Sequence, residues 1–143
     1  MTLYAESSAV LSWLLGETGA SAVRSAFGDA DVVLTSEITL IECDRVLIRA
    51  ITTRQLEEGI GADRRAVLRN VSEHWTILGL ESEVVERARR SFPHEPVRTL
   101  DALHLSFALF ARSLVPGTRL LSLDDRLRAC GRELGFKVVP DPT

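Results

Sequence analysis

The sequence predicts an α/β domain in which a mainly parallel sheet of four to five short strands lies between layers of helices. Short apolar runs alternate with amphipathic segments of helical length along the chain. The 143 residues fit one domain, 1–143, that is long enough to bury a substantial core. The composition, 45% hydrophobic and 26% charged, is that of an ordinary globular protein.

The first half of the chain begins with a strand. Leu3 and Tyr4 start this strand, which ends at Glu6, and Ser7 or Ser8 is expected to cap the helix that follows. The remaining elements are a helix at 20–27, a strand at 31–35, a helix at 37–50 capped by Ser36, and a more polar helix at 54–74 that Gly59 and Gly61 weaken. The core-facing side of helix 37–50 is predicted to contain Leu40, Cys43, Val46, Leu47 and Ala50.

The second half repeats the alternation. A strand at 75–78 is followed by an amphipathic helix at 82–91, and Pro93 and Pro96 mark a loop. The next helix, 100–114, is nearly all apolar, which predicts burial on most sides. The last elements are a strand at 119–123, a helix that starts at Asp124 and ends at Gly135, and a strand at 137–139.

Four acidic residues lie in, or directly border, segments that otherwise suit a hydrophobic core: Glu6, Glu42, Asp101 and Asp124. A carboxylate taken out of water without a partner costs on the order of several kcal/mol, so folds that gather such groups hold them with cations, bases or hydrogen bonds. Glu6 and Asp124 both follow strands, at the edge where parallel sheets bind ligands. The pattern favours a metal site.

Two of these acids also suit helix starts. Asp124 can accept a hydrogen bond from the first amides of its helix, and Asp125 is favourable in the first turn. Asp101 is an acid near the beginning of a helix that Thr99 can cap. The apolar neighbours of Asp101 nevertheless indicate that its carboxylate borders a pocket.

For other residues the sequence leaves alternatives open. Glu42 and Asp44 are flanked equally by apolar residues, so helical spacing does not select between them. Glu6 is also compatible with a surface acid at the edge of the sheet. His104, one turn after Asp101, suits a core histidine bonded to backbone better than a group that orients Asp101.

Charge and cysteine content narrow the function classes. The net charge of −3 gives no global attraction for nucleic acid, so any such binding must be local. The N-terminus lacks the basic and apolar regions of a signal peptide, and we expect a cytoplasmic protein. Cys43 and Cys130 lack the spacing of a zinc site and are expected to be buried free thiols.

Four stretches occur in order along nearly the whole chain: Leu3 to Ala9, Thr35 to Glu42, Arg98 to Leu105, and Leu121 to Leu127 followed by Gly135. Together they resemble the PIN domain and, more narrowly, the VapC type of toxin. The most specific stretch is Arg98 to Leu105, which reads RTLDALHL.

The resemblance implies a three-layer α/β/α fold and a metal-dependent endoribonuclease of a type II toxin–antitoxin system. It assigns the catalytic Mg²⁺ or Mn²⁺ site to Glu6, Glu42, Asp101 and Asp124 rather than to Asp44 or Asp125, and it places Ser8 and Ser122 near the metal. It further implies cleavage to a 5′-phosphate and a 3′-hydroxyl, a neutralising antitoxin and a homodimer.

One departure from the family pattern concerns the first acid, which is ordinarily aspartate and is Glu6 here. Since Mg²⁺ usually takes only one or two direct carboxylates, we expect Asp101 together with Glu6 or Asp124 to contact the metal. Misplacement of a reacting group by about 1 Å can reduce a rate on the order of 10²-fold. We therefore expect the longer side chain of Glu6 to lower the rate of RNA cleavage.

Substrate and partner contacts follow from the same hypothesis. Arg98 and Arg126 are expected to steer RNA phosphates at the rim of the acidic site, although surface salt bridges explain them equally well. Target choice should depend on RNA shape and unpaired bases. A groove at the helical pair 37–74 is a candidate dock for an antitoxin helix.

Two other classes compete with the nuclease. A catalytically weakened PIN-like RNA-binding or scaffold domain would keep the fold without a working metal site. A phosphoryl-transfer domain also places acids at strand ends, but it needs a phosphate-holding cation. Lys137, the sole lysine, lies near the C-terminus, and no Asp-x-Asp pair follows the first strand, so this class fits poorly.

Overall fold

A computed structural model describes residues 1–142 and leaves Thr143, the last residue of the predicted domain, outside the described part. The strands are β1 (Thr2–Ala5), β2 (Val32–Ser36), β3 (Thr76–Leu78), β4 (Arg119–Leu121) and β5 (Val138–Val139). The helices are α1 (Ser7–Leu15), α2 (Ala20–Asp29), α3 (Glu37–Thr52), α4 (Glu58–Ser72), α5 (Ser82–Ala88), α6 (Thr99–Leu114) and α7 (Asp125–Glu133). Within 1–142, none of the helices has the length and apolar character needed to cross a membrane.

The strands form one sheet in the order β3-β2-β1-β4-β5, and every pair is parallel. This confirms the predicted α/β class and parallel sheet. The chain leaves β1 towards β2 on one side and later returns to place β4 on the other side. The carboxyl ends of β1 and β4 therefore flank the switch point at which open α/β sheets bind ligands.

Alternating side chains of the central strand β1 pack into two different cores. Leu3 and Ala5 belong to the core that contains Val10 of α1, while Tyr4 belongs to the core that contains Phe107 of α6. Because neighbouring residues of a strand point to opposite faces, the sheet is covered on both sides. The predicted three-layer α/β/α arrangement is confirmed.

Helices α3 and α4 form the expected hairpin, but Gly61 has a different role from the predicted one. A Cβ at this position would lie 2.4 Å from the Cδ1 of Ile51, so a larger residue would displace the Ile51 side chain where α4 packs on the end of α3. The predicted helix 54–74 also starts later, at Glu58, after Arg54 has adopted a left-handed φ of 59°.

The structure confirms some of the local expectations and contradicts others. Ser36 caps α3 as predicted, because its hydroxyl accepts a hydrogen bond from the amide of Thr39 at 3.1 Å. The predicted Thr99 cap is wrong, since Thr99 is the first helical residue of α6 and no side chain caps that helix. Val46 was expected in the core and is 37% exposed. Cys43 and Cys130 are buried free thiols, as expected.

Candidate metal centre

The structure brings residues from four separate elements to the carboxyl edge of the sheet. Glu6 directly follows β1, and Asp124 follows β4, so both lie beside the switch point. Glu42 lies on α3, and Asp101 lies in the first turn of α6. No stretch of sequence contains more than one of these acids; the sheet topology brings them to one end of the molecule.

Glu6 is 4% exposed, and hydrogen-bond donors surround its carboxylate. Oε1 accepts a hydrogen bond from the backbone amide of Ser8 at 3.1 Å, so Glu6 itself caps α1. The prediction that Ser7 or Ser8 caps this helix is therefore wrong. Oε2 accepts hydrogen bonds from the hydroxyls of Ser8 and, at 2.7 Å, of Ser122.

The directions of these hydroxyl bonds follow from their other partners. The amide of Leu123 donates to the Ser8 hydroxyl at 2.9 Å, and the amide of Asp124 donates to the Ser122 hydroxyl at 3.1 Å. An amide can only donate, so each serine has its single proton available for Glu6. Burial raises the pKa of Glu6, yet all its neighbours here are donors, an arrangement that suits an ionised carboxylate.

A buried arginine fixes the backbone that presents Ser122. Arg128 on α7 donates one hydrogen bond to the carbonyl of Ser122 at 2.7 Å and another to the carbonyl of Pro140 at 2.6 Å. Arg128 is only 8% exposed. The guanidinium therefore joins the end of β4 to the segment after β5 and positions the serine that holds Glu6.

Glu42 is held by a histidine. The Nε2 atom of His104 lies 2.9 Å from Oε1 of Glu42 and 3.2 Å from the hydroxyl of Ser7. Burial and this hydrogen bond act in opposite directions on the Glu42 carboxyl, and its pKa is lowered overall. The expectation that His104 bonds to backbone is wrong, because its partners are side chains and its Nδ1 atom has none within residues 1–142.

Because Nδ1 has no acceptor, a proton is better placed on Nε2, from where it can be donated to Glu42. Asp44, which the sequence could not separate from Glu42, lies on a different side of α3. Its carboxylate accepts a hydrogen bond from Arg65 of α4 at 3.0 Å. The packing of α4 thus draws Asp44 away from the acidic centre, whereas His104 holds Glu42 in it.

Asp101 and Asp124 are less constrained than Glu6. Oδ1 of Asp124 accepts a hydrogen bond from the amide of Leu127 at 3.0 Å. Asp124 therefore caps α7, as predicted from its position at the start of that helix. The carboxylate of Asp101 accepts no hydrogen bond from any residue of the described range 1–142. Burial, and then the charge of Asp124, raise the pKa of Asp101. It is a half-buried carboxylate without a partner.

The donor set suits a hard divalent cation. One atom each of Glu6, Glu42 and His104 could act as a ligand, and these atoms lie within 4.8 Å of one another. Asp101 and Asp124 fall outside that compact group, but Asp101 is near enough for the charges of Asp124, His104 and Glu42 to act on it. Carboxylate oxygens predominate, as Mg²⁺ and Mn²⁺ prefer. The unpartnered Asp101 has the free oxygens that such an ion requires.

The two predicted phosphate-steering arginines lie on the Asp101 side. The positive charge of Arg98 lowers the pKa of Asp101, although burial outweighs it. Arg126 lines a cavity of about 400 Å³ that Asp101 also borders. The sequence did not identify His104 or Ser7 as members of the centre. The position of His104 one turn after Asp101 was the available signal.

Comparisons with known proteins agree with this architecture. The chain is 30% identical over 137 residues to Ribonuclease VapC46 of Mycobacterium tuberculosis, and 29% identical over 139 residues to Ribonuclease VapC35 of the same organism. In both cases the alignment covers 96% of this chain and 95% of the relative.

Solved structures share the fold. The crystal structure of the M. tuberculosis toxin VapC20 superposes with a TM-score of 0.65 at 16% identity and covers 97% of this chain and 99% of that one. A toxin–antitoxin complex from Klebsiella pneumoniae gives a TM-score of 0.65 at 15% identity, with 96% of each chain covered. The family model of the PIN domain matches residues 3–133, so the chain belongs to the PIN domain family.

Proposed function

We propose that this chain is a metal-dependent endoribonuclease of the VapC type, the toxin of a type II toxin–antitoxin pair, built as a single PIN domain over residues 1–143. Full-length similarity to two proteins named ribonucleases supports the activity. The observation that carries the proposal is the cluster beside the end of β1: ligand atoms of Glu6, Glu42 and His104 lie within 4.8 Å of one another, and the charges of Asp124 and Glu42 act on Asp101.

The proposed metal-holding residues are Glu6, Glu42, Asp101 and Asp124. We expect Asp101 and Glu42 to contact the ion directly in preference to Glu6, because both oxygens of Glu6 already accept hydrogen bonds from Ser8 or Ser122. A Mg²⁺ or Mn²⁺ ion bound there would lower the pKa of a water ligand and would place positive charge beside the phosphodiester oxygens. Hard oxygen donors favour these ions over zinc.

The chain's own residues prepare the site before any substrate arrives. His104 holds Oε1 of Glu42 at 2.9 Å and so fixes this carboxylate beside Glu6. Asp124 engages Oδ1 in capping α7, so Oδ2 remains available. Glu6 is bonded through both oxygens to Ser8 and Ser122, and it contributes fixed negative charge. Preorganised charge of this kind needs no reorganisation during reaction.

The direct test is cleavage of RNA by the purified chain with Mg²⁺ or Mn²⁺ and with a chelator. We expect cleavage only with metal, and loss of cleavage in Asp101→Asn. Asp29→Asn is the matched control and should retain activity, because Asp29 is an exposed acid at the end of α2, which leads into β2 at the opposite edge of the sheet. Equal cleavage by the parent with metal, the parent with chelator and Asp101→Asn would refute the proposal.

One alternative has an observation in its favour. Both oxygens of Glu6 are engaged by protein donors, which suits a domain that binds RNA but no longer takes up metal. Calorimetry separates the two functions. Uptake of Mn²⁺ by the parent that disappears in Asp101→Asn supports the nuclease, whereas RNA binding without metal uptake supports the weakened scaffold.

We further propose an antitoxin partner and a homodimer. The helical pair α3 and α4 exposes Ile41 and Ile60, which are 57% and 43% exposed, and these apolar side chains suit a partner helix. The product of a small open reading frame beside the gene, when co-expressed, should bind this chain and suppress RNA cleavage. A complex that leaves cleavage unchanged would contradict the antitoxin role.

A further inference from the structure

Two exposed arginines extend from the candidate metal centre along α3. Arg45 and Arg49 follow Glu42 by three and seven residues, which places all three side chains on one face of the helix. This face lines a groove of about 400 Å³ whose walls also include Val46, Thr52 and Thr53. The groove thus begins at Glu42 and continues away from the sheet.

The positive charges in this groove are not paired with carboxylates of the described part of the chain. No carboxylate of residues 1–142 forms an ion pair with Arg45 or Arg49. By contrast, Arg65 pairs with Asp44 at 3.0 Å on another side of the same helix, where α4 packs. Helix α4 does not cover the α3 face that contains Glu42. Among the described residues that line the groove, Glu42 is the only acid.

We propose that Arg45 and Arg49 form a phosphate track that holds an unpaired RNA strand on the Glu42 side of the centre. The inference rests on the proposed nuclease function and adds the path of its substrate. Guanidinium groups bind phosphate oxygens through two parallel hydrogen bonds, and residues four apart on a helix have Cβ atoms about 5–6 Å from each other. An acidic centre repels RNA, so cations beside it are required to hold the strand.

The track also gives the RNA strand a direction across the site. Arg126 and Asp101 border a cavity on the α7 side, and Arg45 and Arg49 line the groove on the α3 side. A strand lying across Glu42 and Asp101 would therefore meet arginines on both sides. Arg45 and Arg49 were not among the substrate-binding residues expected from the sequence.

The test measures RNA affinity at several salt concentrations in an Asp101→Asn background, which prevents cleavage. The probe is a short, labelled, unpaired RNA of mixed sequence. Arg45→Gln/Arg49→Gln should weaken binding and reduce the slope of log K against log salt by about 1.4, or about 0.7 for each lost phosphate contact on a single strand. The matched control is Arg89→Gln/Arg90→Gln, which removes two exposed arginines at the end of α5 and should leave the slope unchanged.

Three results would overturn the track. The first is an unchanged slope in the Arg45/Arg49 double variant. The second is equal losses in both double variants, which would reflect net charge alone. The third is a variant that keeps RNA affinity but loses its dimer, or loses a co-expressed antitoxin, since the face would then bind protein.

The cleavage assay separates this inference from the proposed function. If the parent cleaves RNA with metal while the slope is unchanged, the track fails and the nuclease stands. If the parent neither takes up metal nor cleaves RNA, the proposed nuclease function is refuted, and so is the phosphate track that depends on it. Mn²⁺ affinity of the Arg45/Arg49 double variant, measured by calorimetry, should equal that of the parent.

Discussion

The two sides of the acidic centre differ in how completely the protein satisfies their carboxylates. On the closed side, Glu6 accepts hydrogen bonds from Ser8 and Ser122, and Glu42 is bonded to His104. On the open side, Asp101 has no hydrogen-bond partner among residues 1–142. Glu6 therefore belongs to the folded framework, Asp101 is available for a ligand, and His104 holds Glu42 in a position to bind the same ligand.

This difference separates stability from function within one site. Hydrogen bonds to a buried carboxylate stabilise the fold, because removal of a partner leaves a charged group unsatisfied. An unpartnered, half-buried carboxylate next to another acid does the opposite, and burial and the charge of Asp124 raise the pKa of Asp101 accordingly. Natural sites retain such costs where function requires them.

The largest expected effect is on the open side. Asp101→Asn should reduce RNA cleavage by about 10²- to 10³-fold, the usual loss when one charge-stabilising group is removed. The same change should not lower the melting temperature of the metal-free protein, and should raise it, because repulsion from Asp124 disappears. Activity assays and thermal unfolding measure the two quantities. A marked loss of stability would show that Asp101 belongs to the framework instead.

The next effect concerns the histidine that holds Glu42. His104→Leu removes the donor and should weaken Mn²⁺ affinity by about 10- to 100-fold, as is typical when a group that orients a metal ligand is lost. His104→Gln retains an N–H near the position of Nε2 and should recover most of the affinity. Calorimetry provides the measurement. Equal affinity in the parent and the leucine variant would exclude a positioning role for His104.

A third change removes a hydrogen bond to Glu6. Ser122→Ala removes the donor to Glu6 and the acceptor for the Asp124 amide, and should lower the free energy of unfolding by about 1–3 kcal/mol. Ser91→Ala, at an exposed position outside the centre, is the control and should change little. Urea denaturation of the metal-free proteins decides between them. Equal stabilities would mean that the serine bonds to Glu6 contribute nothing.

A fourth change tests the departure at Glu6. Glu6→Asp keeps an acid that can cap α1 but shortens the reach to Ser122, so the free energy of unfolding should fall by about 1 kcal/mol. The rate of RNA cleavage should rise, since the carboxylate would then have the length usual at this position in the family. A rate that is unchanged or lower would refute the idea that the longer side chain handicaps the site.

The smallest effect is on pH dependence. Burial lowers the pKa of the His104 imidazole, but the hydrogen bond with Glu42 and the charge of Glu6 raise it more, so the net pKa lies above the ordinary 6.5. A raised folded-state pKa means that protonation stabilises the fold. This contribution is complete below pH 6.5 and is lost as the pH rises through the folded pKa.

The measurement compares the metal-free parent with His104→Gln. The difference in their free energies of unfolding should become smaller as the pH rises above 6.5. A difference that stays constant, or that grows with pH, would contradict the assigned direction.

The sequence predicted the parts of this molecule that depend on neighbouring residues. Ser36 is a favourable capping residue directly before an amphipathic segment. The short apolar runs predict strands without any knowledge of which strands pair with them. The placement of Glu6 and Asp124 at one edge of the sheet was also predictable, because both residues follow parallel strands.

Partners supplied by distant segments were not predictable. Glu6 caps its own helix because the Ser122 hydroxyl, 116 residues further on, helps to hold its carboxylate in place. The choice between Glu42 and Asp44 depends on which helix packs on each side of α3, since Arg65 engages Asp44 and His104 engages Glu42. Helical spacing contains no information about such partners.

The most direct experiment on the metal centre is titration of the purified chain with Mn²⁺ by calorimetry. We expect the parent and Asp29→Asn to bind Mn²⁺ with equal affinity, and we expect Asp101→Asn and Glu42→Gln to lose binding while remaining folded. Failure of the parent to bind Mn²⁺, or undiminished binding by Asp101→Asn and Glu42→Gln, would contradict this expectation.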